Sequence, residues 1–548
     1  MLRTLLQRSP ALRTPGSHAR WCALAVATLC CAAPLAAVQQ DTAATPSPRG
    51  VTAFETLAGW ENRSPPAVGE GAAVTELSSL ADGQLGLAVH TRRIEVDFDV
   101  LLSADGAVQL EHGGLPVGPP LAPGLRAIEV LSCLGDVALT SNRWQRVHVR
   151  ADDSGLLITV DGLPVCRVAA LPQAAPLVLH QITGSGAVAN LRLRDLADLP
   201  GRLLKPLASE GLRGWGQLGD ALWTPGPDEV LGEVGGGGQS FLVSEQSFGD
   251  FLLEVELRNE DQGNSGIQVR SQVADGGRLF GYQIEIDPSD RSWSGGLYDE
   301  ARRGWIDNLA DDDVARSAFH NGEWNHYRIE CVGPSIKAWV NGLPTADVLD
   351  TLDLTGKLAL QIHNGHNSTM RWRHLRLHDL GSHRWLTWLD ARSLDEWLSG
   401  RPGWSLTADG LQAHESASPR APAVLLSPTT VANTALRLRF RSAGQLALIL
   451  AAPDELTGGK APAVPGPRPS GPGLHDLPHG GLLVRPPATD GWATLSVSLA
   501  GGRVAVHIDG ALLGERRDGG SSPGQLLMLA EGPDCTIAQL ERLSPTDG

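Results

Sequence analysis

Residues 281–287 read Gly-Tyr-Gln-Ile-Glu-Ile-Asp. Side chains alternate along an extended strand, which puts Tyr282, Ile284 and Ile286 on one face and Gln283, Glu285 and Asp287 on the other. Two carboxylates and an amide in one row, about 7 Å apart at every second residue, suit hydrogen bonding to sugar hydroxyls or the removal and return of a proton. Asp299 and Glu300 follow, and then Arg302 and Arg303, placed to neutralise or orient them. Trp293 and Trp305 flank the group as platforms for a sugar ring. His363, in LALQIHNGHNS, is a further candidate, and His180, in LVLHQI, occupies a similar place earlier in the chain.

The scaffold that must hold these residues repeats. Trp144, Trp324 and Trp492 each open a run of alternating apolar residues that reaches a turn pair 17 residues on: Asp161-Gly162, Asn341-Gly342 and Asp509-Gly510. An Asp/Asn-Gly step between alternating strands is a strong hairpin signal, because both residues must tolerate positive φ. A strand-like segment closes each copy: LRLRDL from Leu191, LRLHDL from Leu375 and IAQLERL from Ile537. Clean alternation with little helical periodicity predicts an all-β chain of three tandem antiparallel sandwiches, at residues 51–200, 201–381 and 382–548.

An early strand also recurs, as RIEVDFDV, FLLEVELR and ALRLRFRS. One face carries Glu95, Asp97 and Asp99, then Glu254, Glu256 and Arg258, then Arg437, Arg439 and Arg441. A charge pattern that changes sign between copies reads as a solvated sheet face rather than a shared site. The middle copy is longer: 72 residues separate Leu252 from Trp324, against 50 from Ile94 to Trp144 and 56 from Leu436 to Trp492. Its surplus holds NSGIQVRSQ and the polar, aromatic residues 280–308. Duplication of a scaffold does not explain these.

The 548 residues carry a net charge of −16. The first 37 contain four arginines, no acid and an apolar stretch from Trp21 to about Leu35, followed by Ala36 and Ala37. This predicts a cleaved signal peptide (1–37), a linker (38–50) and an exported, periplasmic or extracellular protein. Leu29 and Cys30 are poor residues to precede a lipidated Cys31. Without the leader the charge is 41 − 61 = −20, which disfavours nucleic acid and anionic membrane as partners. A Cys133–Cys166 disulfide and two small buried thiols both fit the spacing. No Cys/His spacing resembles a zinc site and no cofactor is evident, although a divalent metal acting as a Lewis acid is compatible with the chemistry below.

The strings SFGDFLLEVELR, NSGIQVR, GYQIEID, SGGLYDEARRGW, EWNHYRIECVGPSIKAWVNG, and GKLALQIHNG with MRWRHLRLHDL make residues 205–380 resemble the 3-keto-disaccharide hydrolase family. Copies one and three resemble degenerate relatives. The resemblance implies concanavalin A-like lectin/glucanase jelly rolls with a concave sugar-binding face and a carbohydrate or glycoside substrate. Many members have Tyr-Glu-Val-Gln where this chain has Tyr282-Gln283-Ile284-Glu285, so acid and amide are interchanged. The implied reaction removes the C2 proton of a 3-keto sugar, expels the C1 aglycone by β-elimination and adds water to the enone. The interchange leaves open which carboxylate carries the chemistry; on this sequence the expected base is Glu285, with His363 or Glu300 as acid. Asn264, Arg270 and Arg303 would bind hydroxyls or the ketone oxygen, and Tyr282, Gln283, Asp287, Trp293, Tyr298 and Trp305 complete the expected substrate contacts. Two other readings fit the same fold: a two-carboxylate glycosidase using Glu285-Ile286-Asp287, and a lectin-like protein without catalysis.

Overall fold

The computed structural model describes residues 57–546 with breaks, the longest at 63–73, 77–83, 124–138, 415–421, 453–470 and 517–523. The expected leader and linker, Cys133 and most of the Pro-rich 457–481 segment lie outside the described residues. Cys166, Cys331 and Cys535 are free, buried thiols.

The chain is all-β. Among the described residues six antiparallel sheets follow one another in pairs of seven and four, eight and seven, and eight and five strands. Each pair encloses its own apolar core, around Phe98 and Ile158, around Phe251 and Tyr327, and around Phe440 and Leu495. Among the described residues no helix is long and apolar enough to cross a membrane.

The Trp-to-turn spacing has a simple cause. Asp161, Asn341 and Asp509 all have φ near +50°, as a tight hairpin requires. Each donates its backbone N–H to the carbonyl of the residue two past the Trp, namely Arg146, His326 and Thr494. Each also accepts the N–H of that same residue on its side-chain oxygen, at 2.8–2.9 Å. The turn is therefore clamped to a fixed point on the preceding strand, and the loop length cannot drift.

The charged strand face of the first copy is not solvated, which corrects the expectation above for that copy; in the third copy Arg439 is exposed and Arg437 and Arg441 are half-buried. Glu95 is fully buried, and Asp97 and Asp99 nearly so, because the first sandwich packs this face against the second. Arg150 bonds Glu95 at 2.8 Å and reaches Glu254 of the second sandwich at 2.9 Å. Arg194 bonds Glu330 at 2.7 Å, and Arg328 contacts Glu95. Alternation reported correctly that these residues share a face; it carries no information about what covers that face.

The seven-stranded sheet of the middle sandwich runs Trp215–Leu218, Ser240–Phe248, Gly356–Ile362, Ser265–Val273, Leu279–Ile286, Leu297–Glu300, Gly304–Asp307. Ile267, Tyr282, Ile284, Leu297, Leu358 and Leu360 point into the core. The alternate residues form the outer face, and the polar row lies there.

Candidate active site

Glu285 sits at the centre of the outer face, 4% exposed. The Asn264 side-chain amide donates to its Oε1 at 2.5 Å and the Gln283 amide to its Oε2 at 2.9 Å. Gln268 donates in turn to Gln283, and accepts from Ser271 at 2.7 Å. Every donor in this chain is oriented toward the carboxylate. Burial nevertheless dominates and pushes the Glu285 pKa up to about 7, with the nearby charge of Asp287 adding to it and the two amides opposing it. A carboxyl that exchanges its proton near neutrality is suited to general acid–base work.

Gly266, opposite Glu285 in register, makes room for this chain. A Cβ there would lie 2.3 Å from the Gln283 amide carbon. We expect Gly266→Ala to displace Gln283 from Glu285 and lower turnover about tenfold or more, the scale of a misplaced catalytic group, while the far-UV CD spectrum stays unchanged.

Beside the carboxyl lies an aromatic corner. Trp305 makes edge contacts with Trp293 and Tyr298, with centroids 4.9 and 5.1 Å apart. The Arg291 guanidinium lies 4.6 Å from the Trp293 ring centre and 5.2 Å from that of Trp305. Tyr298 pairs with Gln283 across the sheet. Its phenol is held protonated to higher pH than usual, first by burial and then by the charges of Glu300 and Glu285. Glu300 is also pushed upward by burial, against a hydrogen bond from Gln239 and the charge of His363. His363 Nδ1 lies 2.7 Å from the Asn364 carbonyl. A carbonyl only accepts, so Nδ1 donates to it and Nε2 is the nitrogen left for other partners.

Four expected substrate contacts are corrected. Arg270, fully buried, donates to the carbonyls of Gly249 and Gly333 at 2.7 Å and to Asp250 at 3.1 Å. Tyr282 points into the core, as alternation requires, and its hydroxyl donates to Asp350 at 2.6 Å. Arg303 gives Nε to Asp299 and Nη1 to Asp350 at 2.7 Å and to the Gly510 carbonyl of the third sandwich at 3.0 Å, and its Nη2 is buried. Asp287 accepts from Ser289 on one oxygen and from Arg291 and the Trp293 N–H on the other. Burial alone would raise its pKa, but the Ser289 and Arg291 bonds outweigh that and lower it. It fixes the turn that carries Trp293.

Three polar contributors were missed. Gln268 and Arg291 lie within motifs that drew attention for other residues, and alternation from Ile267 and Val269 already places Gln268 outward. The third is Gln361, fully buried, with neither amide atom hydrogen-bonded. It pairs with Phe241 and lies on the outer face, since Leu360 and Ile362 on either side are core. His180, by contrast, forms a 3.0 Å pair with Glu111 in the first sandwich.

The third sandwich supplies an internal control. Its smaller sheet begins in the same order, Ala423–Val431, Gly524–Glu531, Gln445–Ala452, and then runs Leu482–Arg485, Gly473–Asp476, with the last two strands in reversed chain order. Where Phe241 pairs with Gln361, Val424 pairs with Leu529; where Gln268 pairs with Gln283, Ile449 pairs with Leu483. The scaffold folds with an aliphatic outer face, so the amide row of the middle sandwich is not a structural requirement. Among the described residues no group of three or more His, Cys, Asp or Glu side chains is arranged to hold a metal ion.

No curated protein matches the sequence. Among solved structures, the chain is similar to a putative glycosyl hydrolase from Parabacteroides distasonis, with 16% identity over 32% of this chain and 99% of that one and a TM-score of 0.25. It is similar also to the carbohydrate-binding module CBM66 from Bacillus subtilis, at 16% identity, 30% and 94% coverage and a TM-score of 0.24. The Bacillus licheniformis beta-glucanase follows at 15% identity, 30% and 92% coverage and a TM-score of 0.22. Residues 208–378, which contain Glu285 and every neighbour described above, match the family model of the 3-keto-alpha-glucoside-1,2-lyase-like domain.

Proposed function

We propose that the outer face of the middle sandwich binds a 3-keto-glycoside and cleaves its glycosidic bond by elimination. Glu285 takes the C2 proton, which the adjacent ketone acidifies. The C2–H electron pair forms the C1=C2 bond, the C1–O bond breaks, and the leaving oxygen receives a proton from Glu300 or His363. Water then adds its oxygen to C1 and a proton returns to C2, giving the free 3-keto sugar. Tyr298 and Gln361 offer hydrogen-bond donors for the ketone and the hydroxyls, and the Trp293–Trp305 corner offers a face for the ring.

The observation that carries this reading is a buried carboxyl, gripped by two amides, on a face that the third sandwich fills with aliphatic side chains. The family match supports the substrate class. The two-carboxylate alternative is weakened, because both oxygens of Asp287 are engaged within its own turn.

The test compares a 3-keto-glucoside bearing a chromogenic aglycone with its unoxidised counterpart. We expect release from the oxidised compound alone. Release from the unoxidised one identifies an ordinary glycosidase, and binding of both without release identifies a lectin-like protein. The pH profile is a further check. The base must be ionised, so kcat/KM is expected to rise with pH through about 7, the ionisation of Glu285. A rate already at its plateau at pH 5 assigns the base elsewhere.

A further inference from the structure

The first and second sandwiches enclose a cleft of about 300 Å³ that shares no residue with the site described above. One wall is Arg167, with Leu156, Leu157 and Asp152 of the first sandwich; the other includes Trp324, Glu256 and Arg373 of the second. The Asn341-Gly342 turn closes the floor against Leu157: a Cβ on Gly342 would lie 3.1 Å from the Leu157 side chain. The cleft therefore exists only when both sandwiches are in place.

Its arginines are not equally partnered. Arg373 is paired with Glu256 at 2.7 Å and Arg150 with Asp152 at 2.8 Å. Arg167 has no carboxylate within ion-pair distance among the described residues; its Nη2 contacts the Asn341 carbonyl, and its buried Nε has no acceptor. His326 is also in the lining, and burial lowers its pKa against the opposing charge of Glu254. Arg150 also meets Glu95 at 2.8 Å and Glu254 at 2.9 Å, so among the described residues Arg167 is the guanidinium of the lining that lacks a carboxylate partner, and a planar guanidinium is the preferred partner of a carboxylate.

We propose that this cleft binds a sugar acid, with its carboxylate on Arg167. Asp152 and Glu256 offer acceptors for hydroxyls, and their charge disfavours a dianion such as phosphate. Leu156 and Leu157 give the C–H face of a ring an apolar surface, and the volume lies at the small end of ligand sites.

Titration of the full chain with sodium glucuronate, methyl glucoside and inorganic phosphate tests the proposal. Glucuronate is expected to bind at least about tenfold more tightly than either of the others, the scale of one charge-assisted hydrogen bond. Arg167→Gln should remove that preference and Arg167→Lys retain part of it. Glu285→Gln should leave it intact, which separates this cleft from the face that carries Glu285. Should Arg167→Gln fail to fold, Glu256→Gln removes a repelling carboxylate and is expected to tighten glucuronate about threefold or more. Equal binding of the acid and the neutral sugar, full binding by Arg167→Gln, loss of binding in Glu285→Gln, or no tightening in Glu256→Gln would overturn it.

Discussion

Glu285→Gln is expected to slow turnover of a 3-keto-glycoside about a thousandfold, the middle of the range for a general base, and to stabilise the fold at alkaline pH. Both effects have one origin. The folded protein holds the carboxyl near pKa 7 against an ordinary 4.5, so it prefers the neutral form. Below about pH 4.5 both folded and unfolded chains carry the proton, and Glu285 costs nothing. As pH rises from there through 7 the unfolded chain ionises freely while the folded chain resists, and stability falls. Above pH 7 the cost is complete, about 3 kcal/mol for a shift of this size. Glutamine keeps the shape without the charge, and the NH2 that replaces one acceptor oxygen is accommodated by turning over the amide that faces it, Asn264 or Gln283. Chemical denaturation should therefore show wild type and variant alike near pH 4 and the variant more stable at pH 8. A residue retained at that cost is one kept for its chemistry. If the variant is less stable than wild type at pH 8, Glu285 is a structural acceptor and not a poised base.

Glu95→Ala is expected to destabilise the protein by about 3–5 kcal/mol, the cost of breaking a buried ion cluster from one side. Glu95 lies among Arg150, Arg194 and Arg328. Burial alone would raise its pKa, but the three guanidiniums outweigh that and hold it well below the usual carboxylate range. The sign is opposite to that of Glu285. Its contribution is present at every pH above the ordinary carboxylate value and is lost only as pH falls through the depressed folded pKa, in strong acid. Removing it leaves three buried cations facing one another; the Arg328 pKa has already fallen to about 10, burial being the main cause. Denaturation of Glu95→Ala at pH 7 should show the loss, and limited proteolysis should cut between the first two sandwiches faster. A change below 1 kcal/mol would mean that solvent reaches this face after all.

Much of the fold was legible in the sequence because strands and hairpins are local. Period-2 alternation sorted core from outer residues, and Asp/Asn-Gly marked the turns. What lies between sandwiches was not legible. Glu95 and Arg328 are 233 residues apart, and nothing local distinguishes a face that meets water from one that meets another sheet. The same limit explains the errors in the site. Arg303 looked like a ligand-binding cation because its acids, Asp299 and Asp350, and its contact with Gly510 come from separate parts of the chain. Tyr282 is a different case: alternation puts it on the same face as Ile284 and Ile286, and that face is the core, where its hydroxyl meets Asp350. Gln361 was missed because an amide among Leu-Ala-Leu-Gln-Ile has no signature. It acquires meaning only beside Phe241 and Gly266, on strands that the sheet brings together.

The most direct test is to follow the C2 hydrogen. In deuterated water, a 3-keto-glucoside incubated with the protein should release its aglycone and yield a 3-keto sugar carrying deuterium at C2, while Glu285→Gln should do neither at a comparable rate. Release of aglycone with the original hydrogen still at C2 would contradict elimination, and unimpaired exchange by Glu285→Gln would contradict the base.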